Sequence, residues 1–356
     1  MFVTLKKVFK SKLNIINNNI VQKKMNQNRS IRFFAVEKLT FIYSLITALI
    51  IISLKPEILV INGLLRVRLM IAIVIIMLAY FNSIKNWWAI RFSRFAFIGA
   101  LLVYWYPETF DINRMIPNYD YLLAGLEQSI FNSQPALLFS QHFTQRWFSE
   151  ILNMGYLAYY PLIIGTSMYF YLTNKKAFEQ FFFVVLFSFF CYYLIYILFP
   201  TAGPQYYYQA IGLDQVNAGN FPNVGYYFDK HQALLQSGNN SGFFSQMVQN
   251  TQQVGERPTA AFPSSHVGIT TLIMLLIIKN RRYKLLTVLF PVYLALVTST
   301  VFIQAHYVID VMAGFSTAIL FYFLGIMVYH VFTRRFSGIL ELNAIFAKKP
   351  VKVRNM

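Results

Sequence analysis

Eight stretches of this chain are apolar enough to cross hydrocarbon as helices, near 39–55, 67–83, 92–107, 150–172, 178–199, 266–279, 284–303 and 307–332. A crossing takes about twenty mainly apolar residues. Inside a bilayer every backbone N–H and C=O must find its partner within the protein, so such runs fold as helices. The reading is therefore an all-α, polytopic membrane bundle of about eight transmembrane helices. Composition agrees: the chain is 57% hydrophobic and only 12% charged, against about a quarter charged in soluble domains. The sixth run is short, and begins a little before His266 or extends past Lys279. Periodicity adds little, because a helix facing lipid on one side and helices on the other is apolar all round. The one cysteine, Cys191, lies inside an apolar run. It gives no disulfide framework and no cysteine metal site, and reads as packing.

The net charge of +18 does not indicate a nucleic-acid partner, since Lys and Arg cluster between the apolar runs rather than along one soluble face. Residues 1–38 form a basic, Asn-rich arm with no cleavable leader in view, suited to a cytoplasmic surface bearing anionic lipid. With that arm inside, the inner segments hold Lys85, Arg91 and Arg94, then Lys175 and Lys176, then Lys279, Arg281, Arg282 and Lys284. The tail from 335 is basic too. Outer segments are poorer in cations, apart from a first outer loop read as carrying Lys55, Arg66 and Arg68. The positive-inside bias then puts both termini in the cytoplasm, and the heads of the sixth and eighth runs together on the opposite face.

Two outer segments are long. In the first, Leu122, Leu123, Leu126, Ile130 and Phe131 recur at helical spacing, as in an interfacial amphipathic helix. The second, about 200–262, is rich in Gly, Asn, Gln and Tyr and opens Pro200-Thr201-Ala202-Gly203-Pro204. Its Tyr206-Tyr207-Tyr208 cluster fits an interface position, with apolar rings ending in hydroxyls.

Ionisable groups at the ends of membrane helices are costly and usually mark function. Pro263-Ser264-Ser265-His266 opens the sixth run, where serine caps a helix and free N–H groups with the dipole make an anion site. His266 can hand a proton to a leaving oxygen. Asp310 follows His306 by four residues, on one face of a helix, where its carboxylate can fix the imidazole tautomer. His306 can then attack phosphorus. Phosphate also needs cations: Arg257, six residues before Pro263, has the planar fork for it, and Lys230 is the weaker candidate. Each motif alone also reads blandly, as a capped helix, a polar pair or a solvated loop cation. His142, His231 and His330 have no motif around them. No zinc spacing and no Gly-rich nucleotide loop occurs.

Arg257-Pro258, Pro263-Ser264-Ser265-His266 and Ser299 through His306 to Asp310 together resemble the three signature motifs of the type 2 phosphatidic acid phosphatase superfamily. The resemblance implies a six-helix catalytic domain, here residues 92–334, after two accessory helices in 39–91. It implies His306 as nucleophile, Asp310 as its partner, His266 as general acid, and Arg257 with Ser264 and Ser265 as phosphate holders, without a cofactor or metal. Three positions depart from the family pattern: Asn250 replaces a lysine, Ser265 a glycine and Thr300 an arginine. With two cationic clamps gone, a dianionic phosphomonoester loses charge-assisted bonds of about 1.5–3 kcal/mol each. Phe-Pro-Ser-x-His, His-Tyr-x-x-Asp, the Pro200–Pro204 turn and Asp120…Glu127…Pro135 are similar to the inositol phosphorylceramide synthase-like branch. That implies transfer of a phospholipid headgroup phosphate to a lipid hydroxyl. Hydrolysis of a lipid phosphate, with water as acceptor, is the alternative; a noncatalytic membrane protein on the same scaffold is the third.

Overall fold

A computed structural model describes residues 31–54, 58–85, 87–235 and 242–347, with the side chains of 58, 59, 254 and 334–347 excepted. The basic leader up to Arg29 and the tail from Lys348 lie outside the described residues, as does Lys55. The chain begins with α1 (Ala35–Leu54), α2 (Ile58–Ile84) and α3 (Trp88–Asn113), followed by two short helices, α4 (Asp120–Phe131) and α5 (Pro135–His142). Next come α6 (Arg146–Leu157), α7 (Tyr159–Thr173) and α8 (Lys175–Leu198), then the short α9 (Pro204–Ile211), α10 (Leu213–Asn217) and α11 (Phe243–Gly255). The bundle closes with α12 (Ser265–Lys279), α13 (Tyr283–Phe302) and α14 (Val308–Ala347). Among the described residues extended pairing is limited to one parallel bridge, Thr201 to Ala260.

Every apolar run becomes helix. Five of them, Ala35–Leu54, Val60–Ile84, Lys175–Leu198, Tyr283–Phe302 and Val308–Thr333, are long and apolar enough to cross a membrane by those criteria alone. The other three fall short for separate reasons. α3 carries Arg91, Arg94, Glu108 and Asp111. α12 has 15 residues, a length of about 22 Å at the α-helical rise. The fourth run is broken at Ala158 into α6 and α7. Pro161 supplies the reason: its ring displaces the carbonyl four residues back, at Leu157, where α6 ends.

α8 is the axis of the bundle: 67% of its apolar window is buried, against 22% for α2 at the rim. Its aromatic residues run through the main core, with Tyr43 of α1 stacked on Phe190 at 4.1 Å and Trp105 of α3 edge-on to the same ring at 5.1 Å. Apolar side chains that remain outside, such as Leu69, Val103, Leu172, Val288 and Phe323, form the surface a hydrocarbon solvent would cover.

α2 starts nine residues earlier than the apolar run 67–83, so Arg68 belongs to a helix and not to an outer loop. Its guanidinium is buried and bidentate on Glu108 of α3, at 2.9 and 3.0 Å, with Thr47 of α1 accepting two more bonds at 3.0 and 3.2 Å. One of the three cations that argued against the charge bias is thus compensated inside the bundle. At the opposite end Arg94 pairs with the equally buried Glu37, and Lys279 donates to Gln180. Helix direction then sorts the termini: the ends bearing Lys85, Arg91, Arg94, Lys279, Arg281 and Arg282 gather on one side, and those bearing His266 and Asp310 on the other.

On that second side the short helices build a small core of their own. Tyr206, Tyr207 and Tyr208 are its centre and are buried, not laid along an interface. Their hydroxyls explain why: Tyr207 donates to Pro222 O at 2.8 Å and Tyr208 to Gln134 Oε1 at 2.6 Å. α4 turns Leu122, Leu126 and Ile130 outward and buries Asp120, Leu123, Ala124 and Glu127. Close helix contact sets the remaining geometry. A Cβ on Gly314 of α14 would lie 2.7 Å from Ser264 O, so only glycine lets α14 reach the head of α12.

Candidate active site

His306 precedes α14 instead of standing on it, in the tight connection 303–307 after α13. Its amide donates to Thr300 O at 3.1 Å, and its ring is 3% exposed. Nδ1 donates to Ala261 O at 2.8 Å. That bond fixes the tautomer and leaves the Nε2 lone pair facing His266 Nδ1, 3.4 Å away. Asp310 was expected to hold the imidazole directly; its Oδ2 stands 3.6 Å from Nδ1 and accepts the Tyr307 amide at 2.8 Å. The backbone carbonyl of Ala261 has taken the orienting role, with the carboxylate just behind it. Burial pushes the His306 pKa down to about 4, opposed by the Ala261 bond and by the charge of Glu256. The ring is neutral at pH 7, as a nucleophile must be.

His266 is the second residue of α12. Its ring lies between those of Tyr156, 4.8 Å away, and Tyr159, 4.2 Å away, which fix its plane. The helix head around it is already largely satisfied. Ser264 Oγ accepts from Val267 N at 3.3 Å, Ser265 N donates to Tyr196 Oη at 3.1 Å, and Ser264 N donates to Asp310 O at 3.1 Å. The expected cradle of free amides reduces to the N–H of His266, so Ser264 and Ser265 act first as cap and anchor.

Arg257 is half-buried, with Nη1 donating to Glu256 O at 3.0 Å. It lies on the wall of a cavity of about 320 Å³ together with Glu256, Tyr206, Gln249 and Gln252. Lys230 is exposed, after a single 3₁₀ turn at Tyr227–Asp229, and no contact joins it to either histidine. Asn250 is exposed on α11, and Thr300 is buried with its hydroxyl on Val297 O at 2.8 Å. Among the described residues no three His, Cys, Asp or Glu side chains converge as metal ligands do.

Three acids surround this site, two of which, Asp120 and Glu127, entered the sequence reading as part of a branch likeness and not as site residues. Glu256 accepts from Tyr156, the phenol stacked on His266, and from Gln205 Nε2 at 3.0 Å. Asp120 accepts the amides of Ala202 at 2.5 Å and Gly203 at 2.8 Å, and the Tyr307 hydroxyl at 3.1 Å. Glu127 accepts the amide of Ile309 at 3.4 Å, in the first turn of α14. Its second oxygen and Asp310 Oδ1 are buried without a partner among the described residues. Burial, and then the charge of Asp310, push the Glu127 pKa up to about 8, so it holds its proton at pH 7. The signal was present in the spacing: Asp120, Leu123, Ala124 and Glu127 share one helix face, the one opposite Leu122, Leu126 and Ile130.

Residues 200–205 stitch these parts together. Ala261 N donates to Thr201 O at 3.0 Å and Phe262 N to Thr201 Oγ1 at 2.9 Å, while Gln205 N donates to Gln304 O at 2.8 Å. Gly203 sits between, at φ 89°, and a Cβ there would meet Ala305 O at 2.5 Å. A short segment thereby holds the 260–263 segment and the 303–307 connection in register, which brings two histidines forty positions apart into contact.

A family model described as PAP2 superfamily matches residues 122–324, more than half of the chain. That range contains both histidines, Arg257, Asp310 and Glu127, and begins just after Asp120. Comparison with curated proteins and with solved structures returns no match in either.

Proposed function

The chain belongs to the PAP2 superfamily, a phosphatase- and phosphotransferase-type family acting on phosphate esters, and from that premise we propose a membrane phosphotransferase working through a phosphohistidine. His306 Nε2 attacks the phosphorus of a phospholipid, the leaving lipid oxygen takes a proton from His266, and the headgroup phosphate stays on His306. A lipid hydroxyl then gives its proton to His266 and attacks the phosphohistidine, which frees His306. Arg257, the His266 amide and the α12 dipole carry the phosphate charge in this scheme, and Asp310 steadies the connection that bears His306. The observation that carries the reading is the Nε2 to Nδ1 approach of 3.4 Å, with the far nitrogen of His306 pinned on Ala261 O.

The preference for transfer over hydrolysis, as in an inositol phosphorylceramide synthase-like enzyme, rests on the cations replaced at Asn250 and Thr300. A phosphodiester carries one charge less and needs fewer clamps. Lipid phosphate hydrolysis is the second reading, favoured by the same two histidines. Purified protein in detergent is given phospholipid labelled in phosphorus, with and without a lipid alcohol. Label moving into a new lipid in proportion to added alcohol is the expected result; inorganic phosphate as sole product would sink the transferase.

We place the site on the extracytoplasmic face of an integral membrane protein, because the cationic helix ends gather on the opposite side. A cysteine at the exposed Asn223, in a Cys191→Ser background, should then react with an impermeant maleimide added to intact cells. Reaction only after permeabilisation would reverse the orientation.

A further inference from the structure

We propose that Glu256 sets the charge selectivity of this site, turning away a dianionic phosphomonoester and admitting a monoanionic phosphodiester whose headgroup occupies the neighbouring cavity. The inference rests on the phosphotransfer reading above and names its substrate class.

Glu256 is a poor residue to find beside a phosphate unless repulsion is its purpose. Glu256 lines the cavity beside Arg257. It is also tied to the chemistry: Tyr156 donates to it while stacking at 4.8 Å on His266, and its charge acts on His306. The carboxylate is held there by more than one bond. Gln205 Nε2 donates to Oε2 at 3.0 Å, and Gln205 Oε1 in turn accepts from Gln252 Nε2 at 2.8 Å. A group restrained from two sides cannot swing away when an anion arrives. Burial raises its pKa, and the bonds from Tyr156 and Gln205 oppose that rise.

Ionised, Glu256 sets a negative charge on this wall beside the positive charge of Arg257. A second charge on phosphate meets Glu256 with no further Lys or Arg among the described lining residues to offset it, and like charges brought together out of water are costly. A diester avoids that charge and brings a headgroup instead. The cavity, about 320 Å³, has the lining for one: Asn153, Gln249, Gln252 and Gln253 provide amides that both donate and accept. Such a wall fits an uncharged, hydroxyl-bearing group. The titratable and charged groups facing Glu256 are Tyr106, Tyr156, Tyr160, Tyr206, Arg257 and His306. Glu256 is the acid among them.

The test compares kcat/KM on phosphatidic acid, a monoester, with that on phosphatidylglycerol, a diester of matched acyl chains with an uncharged, hydroxyl-bearing headgroup, in mixed micelles between pH 5 and pH 8. For the wild type the monoester-to-diester ratio should rise as pH falls through about 6, where a phosphomonoester gives up its second charge. Glu256→Gln should raise that ratio at pH 7.5 by about tenfold or more and flatten its pH dependence, while Glu256→Asp keeps the wild-type preference. A role confined to folding would lower both activities together. A ratio unchanged in Glu256→Gln would overturn the proposal. If that variant does not fold, a wild-type ratio flat across pH does the same. Preference for the diester with no effect of Glu256 leaves the phosphotransfer reading intact, whereas turnover of neither lipid class removes both.

Discussion

His306→Gln should abolish turnover, lowering kcat/KM by roughly 10⁴-fold or more, the order seen when a nucleophile is removed. Glutamine keeps a polar side chain of similar reach and can still meet Ala261 O, so the fold and the thermal midpoint in detergent should be preserved. What disappears is the lone pair that Nε2 presents toward His266 at 3.4 Å. Rapid mixing with phosphorus-labelled phospholipid followed by alkaline quench should trap label on the wild-type protein and none on the variant. The pH profile supplies an independent check of the same group. Attack needs the neutral imidazole, and burial holds the His306 pKa down at about 4. The wild-type rate should therefore persist well below the ordinary histidine range and fail only as pH drops toward 4. A variant that retains a tenth of wild-type turnover would end the phosphohistidine mechanism, and an acid limb at ordinary histidine values would mean that water reaches the ring.

What could be read from the sequence follows from which physical constraints are local. Hydrocarbon thickness sets the length of an apolar run, so the crossing segments were visible one by one. Charge bias between runs put the heads of α12 and α14 on one side, and with them His266 and the His306–Asp310 pair. Constraints that depend on a distant partner were not visible. Arg68 read as a misplaced loop cation because Glu108 lies forty positions away in the chain. Asp310 read as the imidazole's partner because spacing four apart is what a helix aligns. The helix begins only at Val308, so a carbonyl from Ala261 took that place. The tyrosines at 206–208 read as interfacial from composition, yet acceptors at Pro222 and Gln134 let them pack inside. The break at Ala158 and the acidic face of α4 were local features overlooked: Pro161 sits in plain view within the fourth run, and Asp120 and Glu127 stand at helical spacing.

Asp120→Ala should be the most damaging substitution that leaves both histidines and Arg257 in place. The side chain is fully buried and serves as the acceptor for Ala202 N, Gly203 N, Asn118 Nδ2 and the Tyr307 hydroxyl. Two of those donors are backbone amides of the turn that holds Ala261 and Gln304 in register. Their removal from any acceptor costs about 1–3 kcal/mol each, so alanine should destabilise the protein by roughly 2–6 kcal/mol. Asparagine tests the account more finely. It has one acceptor oxygen, and its amide nitrogen can be met by Tyr307, whose hydroxyl also accepts, but one turn amide remains orphaned. Thermal midpoints should then fall in the order wild type, asparagine, alanine, and activity should fall further than stability, because the turn sets the distance between the two imidazoles and not merely their presence. Equal midpoints for all three proteins would show that the turn holds its shape without Asp120. Full activity in a destabilised alanine variant would show that the spacing of the histidines is set elsewhere, by the contact of Gly314 with Ser264 across α14 and α12.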